Sequence, residues 1–514
     1  MTTEHHAPGM LARNSVLNLL GQVLPLLVGF LSIPYVVRGL GADGFGILSI
    51  AWMLLGTFSM LDLGLGRATT KFVAESLHPE KIHRLPGLVW TSIAMQTALG
   101  LAGGLLIAAF VPVLVDRLFK MPPSWTGEAK ASLFILAASM PVLLLTNGIR
   151  GVLEAAQRFD LVNYIKVPTS FSFYLIAAAG IPLHWKVSTI ILVSVVARLA
   201  SAGAFLFFCL RVFPQLRHGW HFSRRELPAL FSFGGWVMVS NVIGPIIGYI
   251  ERFFIATTLS VGVLTYYAVP FELIARVVIF PSSIAAALFP LISHRANLDG
   301  GVSDVTARTL KYLLFVMTPI TAVFVFFAHD ILRLWMGAAF AEKSTSVLQI
   351  LAVCFLFNAL AYIPFTAVQA LGRPDWKAIL DLASLPLYVG VCWILVRHQG
   401  IYGAAISKAI ATVTDCVVLF WFASRLNAFH WRDWLTGTLG RTLGASSALI
   451  TAVFGVRLLN FSSLISFGLA GALIVIYTVA FWIFVIGGDD RQSIFNLPRQ
   501  LLGTGRFTPI NPET

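Results

Sequence analysis

Residues 38–46 read "RGLGADGFG". Gly39, Gly41 and Gly44 have the G-x-G-x-x-G spacing of a dinucleotide-binding turn, and an acid, Asp62, stands about 20 residues on. The flanks exclude that reading. A nucleotide turn follows a strand of about six residues in a soluble sheet. Here the apolar run before Gly39 reaches back to about Val16, and the run after Gly44 is a second long apolar segment. As helices rising about 1.5 Å per residue, they put Asp62 roughly 25 to 30 Å from the turn. It cannot reach a ribose held there. The glycines read instead as a tight outer turn between two membrane-spanning helices, with Arg38 at the interface. Asp62 becomes a gate candidate at the cytoplasmic membrane face.

Composition agrees. Hydrophobic residues make up 57% of the 514 and charged residues 11%, against about 25% charged in a typical soluble domain. Mean hydropathy is +0.83. A soluble chain this apolar could not cover its surface with polar groups, so the bilayer is its solvent. Cys209, Cys354, Cys392 and Cys416 are scattered through apolar segments without a CxxC, and read as buried hydrophobes. The His218–His221 pair lacks a nearby carboxylate and a third ligand, so no metal site is expected. The N-terminus shows no short apolar core or cleavage site, so no signal peptide is expected.

Spans of about 20 apolar residues fall near 15–37, 45–66, 87–115, 131–150, 163–182, 188–210, 229–257, 263–289, 312–328, 345–370, 378–396, 402–423, 439–457 and 463–487. The expected fold is an all-α polytopic membrane protein of about 14 spans. With the N-terminus inside, the inner loops hold 22 of the 36 Lys and Arg, the outer loops nine, and the spans the other five. That asymmetry predicts both termini in the cytoplasm. The net charge of +13 then faces anionic inner-leaflet lipid, and nucleic acid is unnecessary as a partner.

The chain also repeats. "LEAAQRFDLVNYIK" (153–166) aligns with "VQALGRPDWKAILD" (368–381) at an offset of 215, pairing Ala155 with Ala370, Arg158 with Arg373 and Asp160 with Asp375. Both stretches follow an apolar span on the same expected side. Six spans precede about residue 215, six follow to about 430, and two remain. This predicts parallel halves, with a binding site where they meet. The expected units are 1–215, 216–430, and 431–514 with spans 13 and 14 and a cytoplasmic tail.

Charges inside spans are costly and each is a functional hypothesis. Arg198 lies mid-span with no acid near it in sequence. Arg276 sits four residues from Glu272, and Lys408 seven from Asp415, each pair on one helix face. Glu251 and Arg252 are adjacent. Arg198, Arg276 and Lys408 are candidates to line a central cationic cavity suited to a diphosphate or acidic sugar. Asp62, Glu251, Glu272 and Asp415 are candidates for coupling or gating. The competing account is internal pairing: Glu272 with Arg276, Glu251 with Arg252 or a neighbour, Lys408 with Asp415.

The first 75 residues carry a family resemblance. "NSVLNLLGQVLPLLVGFLSIPYVVRGLGADGFGILS" followed by "LDLGLGRATTKF", together with "QALGRPDW" after span ten, resembles the polysaccharide-repeat-unit flippases (Wzx-type) of the MOP superfamily, which also holds MurJ-like flippases and MATE exporters. The resemblance implies a MATE/MurJ-like two-lobe architecture with two extra C-terminal helices. It implies transport rather than catalysis, without a cofactor. The expected cargo is an undecaprenyl-diphosphate-linked oligosaccharide crossing a bacterial plasma (inner) membrane for O-antigen, capsule or exopolysaccharide synthesis, by alternating access. A monomer is expected, with a polymerase and a chain-length protein as partners. Two rivals remain. A MATE-like small-molecule or cation exporter should favour acids over Arg198, Arg276 and Lys408. A membrane-embedded polymerase or glycosyltransferase should carry a larger catalytic outer loop than 112–130 or 329–344.

Overall fold

The computed structural model describes residues 8–60, 64–78, 80–217, 222–224, 226–228, 247–296, 302–429, 438–459 and 461–485. Asp62, His218 and His221 lie outside them. The described residues form helices and short connecting turns, with no strand among them.

The stretch around Gly41 sits inside one helical run, α1 (Pro8–Met60). Its 53 residues would measure about 80 Å as a single helix, against a hydrocarbon core of about 30 Å. Gly41 breaks it. Its φ of 72° and ψ of 176° lie in a region open essentially to glycine. Gly46 serves differently: a Cβ there would overlap the carbonyl of Val261 on another helix. Gly41 of the apparent nucleotide motif thus breaks a helix, and Gly46 just beyond the motif admits a neighbour.

There follow α2 (Leu65–Ser76), α3 (Leu85–Val113), α4 (Pro123–Ala155), α5 (Phe159–Gly180) and α6 (Val187–Val212). With α1 they form a first bundle, in which α3 lies along α4, α4 along α6 and α5 along α1. Gly100 and Gly104 of α3 lie against Pro141 and Ala137 of α4, the small-xxx-small contact that draws membrane helices together. The second bundle comprises α7 (247–258), α8 (Val261–Ala275), α9 (Ile279–Ala296), α10 (Val302–Phe326), α11 (Ala328–Met336), α12 (Ala338–Ala370) and α13 (Pro374–Arg425). The 52 residues of α13 are broken at Gly400, with φ 62° and ψ −135°. Finally α14 (Thr438–Leu458) and α15 (Ser463–Phe484) stand against α10. Phe315 stacks on Phe481 at 4.1 Å, and Thr318, Ser446 and Tyr477 form a hydrogen-bond chain.

Ten runs among the described residues are long and apolar enough to span a bilayer. Two of these, α1 and α13, carry two spans each. The 22-residue α5 is a further long helix, and the span read near 229–257 falls mostly outside the described residues. Side chains on the outer faces, such as Leu464 at 87% and Leu31 at 73% exposure, are too many and too apolar for water.

The repeat is reproduced at the level of single hydrogen bonds. Ala155 and Ala370 each end a 33-residue helix. In the first turn Ala156 N–H donates to Val152, Gln157 to Glu154 and Arg158 to Leu153; in the second, Leu371 donates to Ala367, Gly372 to Gln369 and Arg373 to Val368. Gln157 and Gly372 both take positive φ, 58° and 78°. Each turn closes with a bidentate Arg–Asp clasp, Arg158 to Asp160 at 2.9 and 2.8 Å and Arg373 to Asp375 at 3.2 and 3.1 Å.

The bundles join at the Gly41 end. Lys120 N–H donates to Ala256 and Val261 N–H to Lys120. Lys120 Nζ donates to the Thr258 carbonyl at 2.6 Å and Thr265 Oγ1 to Ala42 at 2.7 Å. Trp335 of α11 stacks on Phe30 of α1 at 5.0 Å and donates to its carbonyl, while Arg38 reaches the Trp335 carbonyl.

Candidate functional site

Helix α7 carries Glu251 and Arg252 side by side, and adjacent residues on a helix do not face each other. They diverge. Arg252, 3% exposed, pairs with Glu272 of α8 at 2.9 Å, and its guanidinium lies 4.8 Å from the Phe271 ring and 5.2 Å from the Tyr249 ring. Glu251, 1% exposed, turns to α13, where Lys408 pairs with it at 3.2 Å and Tyr388 donates its hydroxyl to the same carboxylate. The sequence pairing of Glu272 with Arg276 holds at 3.3 Å. The pairing of Lys408 with Asp415 does not: Asp415 takes Lys377 at 2.8 Å, which also bonds Asp381. Seven residues along one face is about two helical turns. Each group finds a closer partner across the bundle.

Arg276 also crosses between bundles. Its guanidinium donates to the Tyr174 hydroxyl of α5. Arg198 of α6 stands differently. It lies 4.3 Å from the Phe173 ring centroid, its Nε is buried without a hydrogen-bond partner, and no carboxylate among the described residues forms an ion pair with it.

Three cavities surround these charges. One of about 380 Å³ lies within the first bundle, lined by Asn147, Arg150, Lys166, Ser170, Phe173 and Arg198 among others. A second, about 220 Å³, lies between the bundles, with Trp52 and Tyr174 on one side, Tyr249, Arg252 and Glu272 on the other, and Ser170, Phe173 and Arg198 again in its wall. The third, about 320 Å³, lies in the second bundle and gathers Lys377, Asp381, Tyr388, Lys408 and Asp415. Arg198 and Glu272 are thus brought to one cavity, with Arg276 bonded to both Glu272 and Tyr174 of its wall. Lys408 and Asp415 line another, and Asp62 lies outside the described residues.

Lys377, Asp381, Tyr388, Trp52 and Tyr174 were not singled out from the sequence. Lys377 and Asp381 had a readable signal, a Lys and an Asp four apart at the start of a span. The aromatic residues had none, because 12% of the chain is aromatic.

Two helical bundles meeting around part-buried charges, with lipid-facing exteriors, have the build of a polytopic membrane transporter. The sequence matches the polysaccharide biosynthesis protein family over residues 11–295, more than half of its length, and the chain belongs to that family. It is 29% identical over 423 residues to the "Putative O-antigen transporter" of Shigella flexneri, covering 80% of this chain and 98% of that one. In fold it is similar to the lipid II flippase MurJ in an inward closed conformation, with TM-score 0.72, 14% identity and coverage of 92% and 99%. It is also similar to an inward-facing MATE-family multidrug resistance transporter of the MOP superfamily, with TM-score 0.67, 15% identity and coverage of 78% and 95%. At such identities these two structures speak to the fold.

Proposed function

We propose that the protein is a flippase that carries a polyprenyl-diphosphate-linked oligosaccharide from the inner to the outer leaflet of a bacterial plasma membrane, by transport rather than catalysis. The observation that carries this reading is Arg198. A guanidinium within a span, with no carboxylate partner among the described residues and cavities on two sides, is expensive to hold in a membrane. A substrate diphosphate would supply the missing counter-charge, accepting paired hydrogen bonds from the planar fork. The family match, the O-antigen transporter relative and the MurJ-like fold support the same class of cargo.

In this reading residues 1–215 and 216–430 rock as two units, and 431–514 accompany the second through the α10 contacts. The joined Gly41 end is the closed outer gate, both termini are cytoplasmic, and the cavities take the headgroup from the inner side. Arg198 and Arg276 bind the diphosphate or acidic sugar. Lys408 is a third cation for the substrate when Glu251 releases it. Glu251, Asp415, Glu272 and Asp62 serve coupling or gating: protonating or cation-binding a carboxylate would free the lysine or arginine paired to it.

The test is glycan export in a transporter-null strain. Arg198→Ala should lower export roughly ten- to a hundredfold, the effect of losing a charge-assisted hydrogen bond of about 1.5–3 kcal/mol, with the protein still present in the membrane. Full complementation by Arg198→Ala would sink the proposal.

A further inference from the structure

We infer that the cavity between the bundles is a saccharide subsite, which seats the sugar ring adjoining the diphosphate. This rests on the flippase reading. The cavity of about 220 Å³ has the liquid volume of roughly seven waters, room for a sugar ring. Ser170, Phe173 and Arg198 line both this cavity and the larger one in the first bundle. A group held on Arg198 therefore has its neighbour here.

The wall chemistry selects among occupants. Trp52 and Tyr174 meet edge to face at 5.1 Å, and Tyr249 faces them from the second bundle. Rigid aromatic rings offer broad apolar contact at little entropic cost. Opposite, Arg252 and Glu272, 2.9 Å apart, present a donor fork and an acceptor side by side. An apolar chain would leave that pair unsolvated. A second phosphate would lie against the Glu272 carboxylate. A sugar ring fits both halves of the wall: its C–H face rests on an aromatic ring, and two neighbouring hydroxyls, each donor and acceptor, meet the Arg252–Glu272 edge. Because each bundle supplies part of the wall, the ring would be held when the bundles close and released when they part.

The experiment uses the full-length protein in lipid nanodiscs with two probes, undecaprenyl diphosphate and undecaprenyl-diphosphate-linked N-acetylglucosamine. Trp52→Ala should weaken the sugar-bearing lipid about tenfold, the loss of roughly 1.4 kcal/mol of aromatic contact, and leave undecaprenyl diphosphate unchanged. Trp52→Phe should keep most of the affinity, and Tyr249→Leu should repeat the selective loss. Arg198→Gln should weaken both lipids. Equal loss of both lipids, or no loss, in Trp52→Ala and Tyr249→Leu would overturn the subsite while leaving the flippase reading intact. Wild-type protein that binds neither lipid would overturn that reading, and the subsite with it.

Discussion

The two bundles share a backbone device and differ in how their walls are charged. The turns at 156–160 and 371–375 match bond for bond, as expected of a duplicated unit. The cavity walls that follow them do not match. In the second bundle the cations are answered: Lys377 by Asp381 and Asp415, Lys408 by Glu251. In the first, Arg150 is answered by Glu154, while Arg198 has no carboxylate among the described residues. The two turns share their geometry, while the cavity walls differ in charge. One wall holds an arginine with no carboxylate partner among the described residues, and the other pairs its cations.

The largest effect should come from breaking a pair in the balanced wall. Lys408→Met leaves Glu251 buried and unpaired, a loss of about 3–5 kcal/mol. We expect a sharp fall in thermal stability in detergent and in membrane abundance. Combining Lys408→Met with Glu251→Gln should restore stability without restoring export. Arg198→Met is the contrasting variant: removing a charge that no carboxylate among the described residues offsets should leave stability unchanged or raised while export is lost. If Lys408→Met and Arg198→Met behaved alike in thermal stability, the difference between the two walls would be lost.

Much of this was legible in the sequence, for physical reasons. Span number follows from apolar length, and 14 segments were readable because the bilayer demands about 20 apolar residues each. The repeat was readable because its Arg–Asp clasp is local, two residues apart. The Glu272–Arg276 pair was readable because four residues is one helical turn. The Lys408–Glu251 and Lys377–Asp415 pairs join α13 to α7 and the first half of α13 to its second. No periodicity encodes which helices become neighbours. The aromatic wall escaped notice for the same reason, since Trp52, Tyr174 and Tyr249 come from three segments with no common spacing.

A middle-sized effect separates the two copies of the turn. Gln157 takes a left-handed conformation that Gly372 adopts freely, and a side chain there costs about 1–2 kcal/mol. Gly372→Ala should therefore lower the detergent melting temperature. Gln157→Gly should raise it or leave it unchanged, since glycine relieves the strain but adds unfolded-state freedom. A melting temperature lowered by Gln157→Gly would mean that the Gln157 side chain contributes contacts its counterpart lacks, and the two turns would no longer count as equivalent.

The smallest effect is electrostatic and belongs to the same turns. The guanidinium of Arg158 holds the Asp160 carboxyl below its usual 3.8, and Arg373 does the same for Asp375. A carboxyl whose folded-state value is depressed adds stability above its unfolded value and loses it as pH falls through the folded one. Both clasps should therefore be intact at neutral pH and weaken only below about pH 4. Both are solvent-exposed, and pairs of that kind are worth little because water and salt screen them. Melting curves between pH 7 and pH 3 should show a small shift confined to the acid end. Asp160→Asn and Asp375→Asn should each remove a similar part of it, and raised salt should shrink it in both. Unequal shifts from the two substitutions would place a difference in the turns themselves, where bond lengths and backbone angles make them copies.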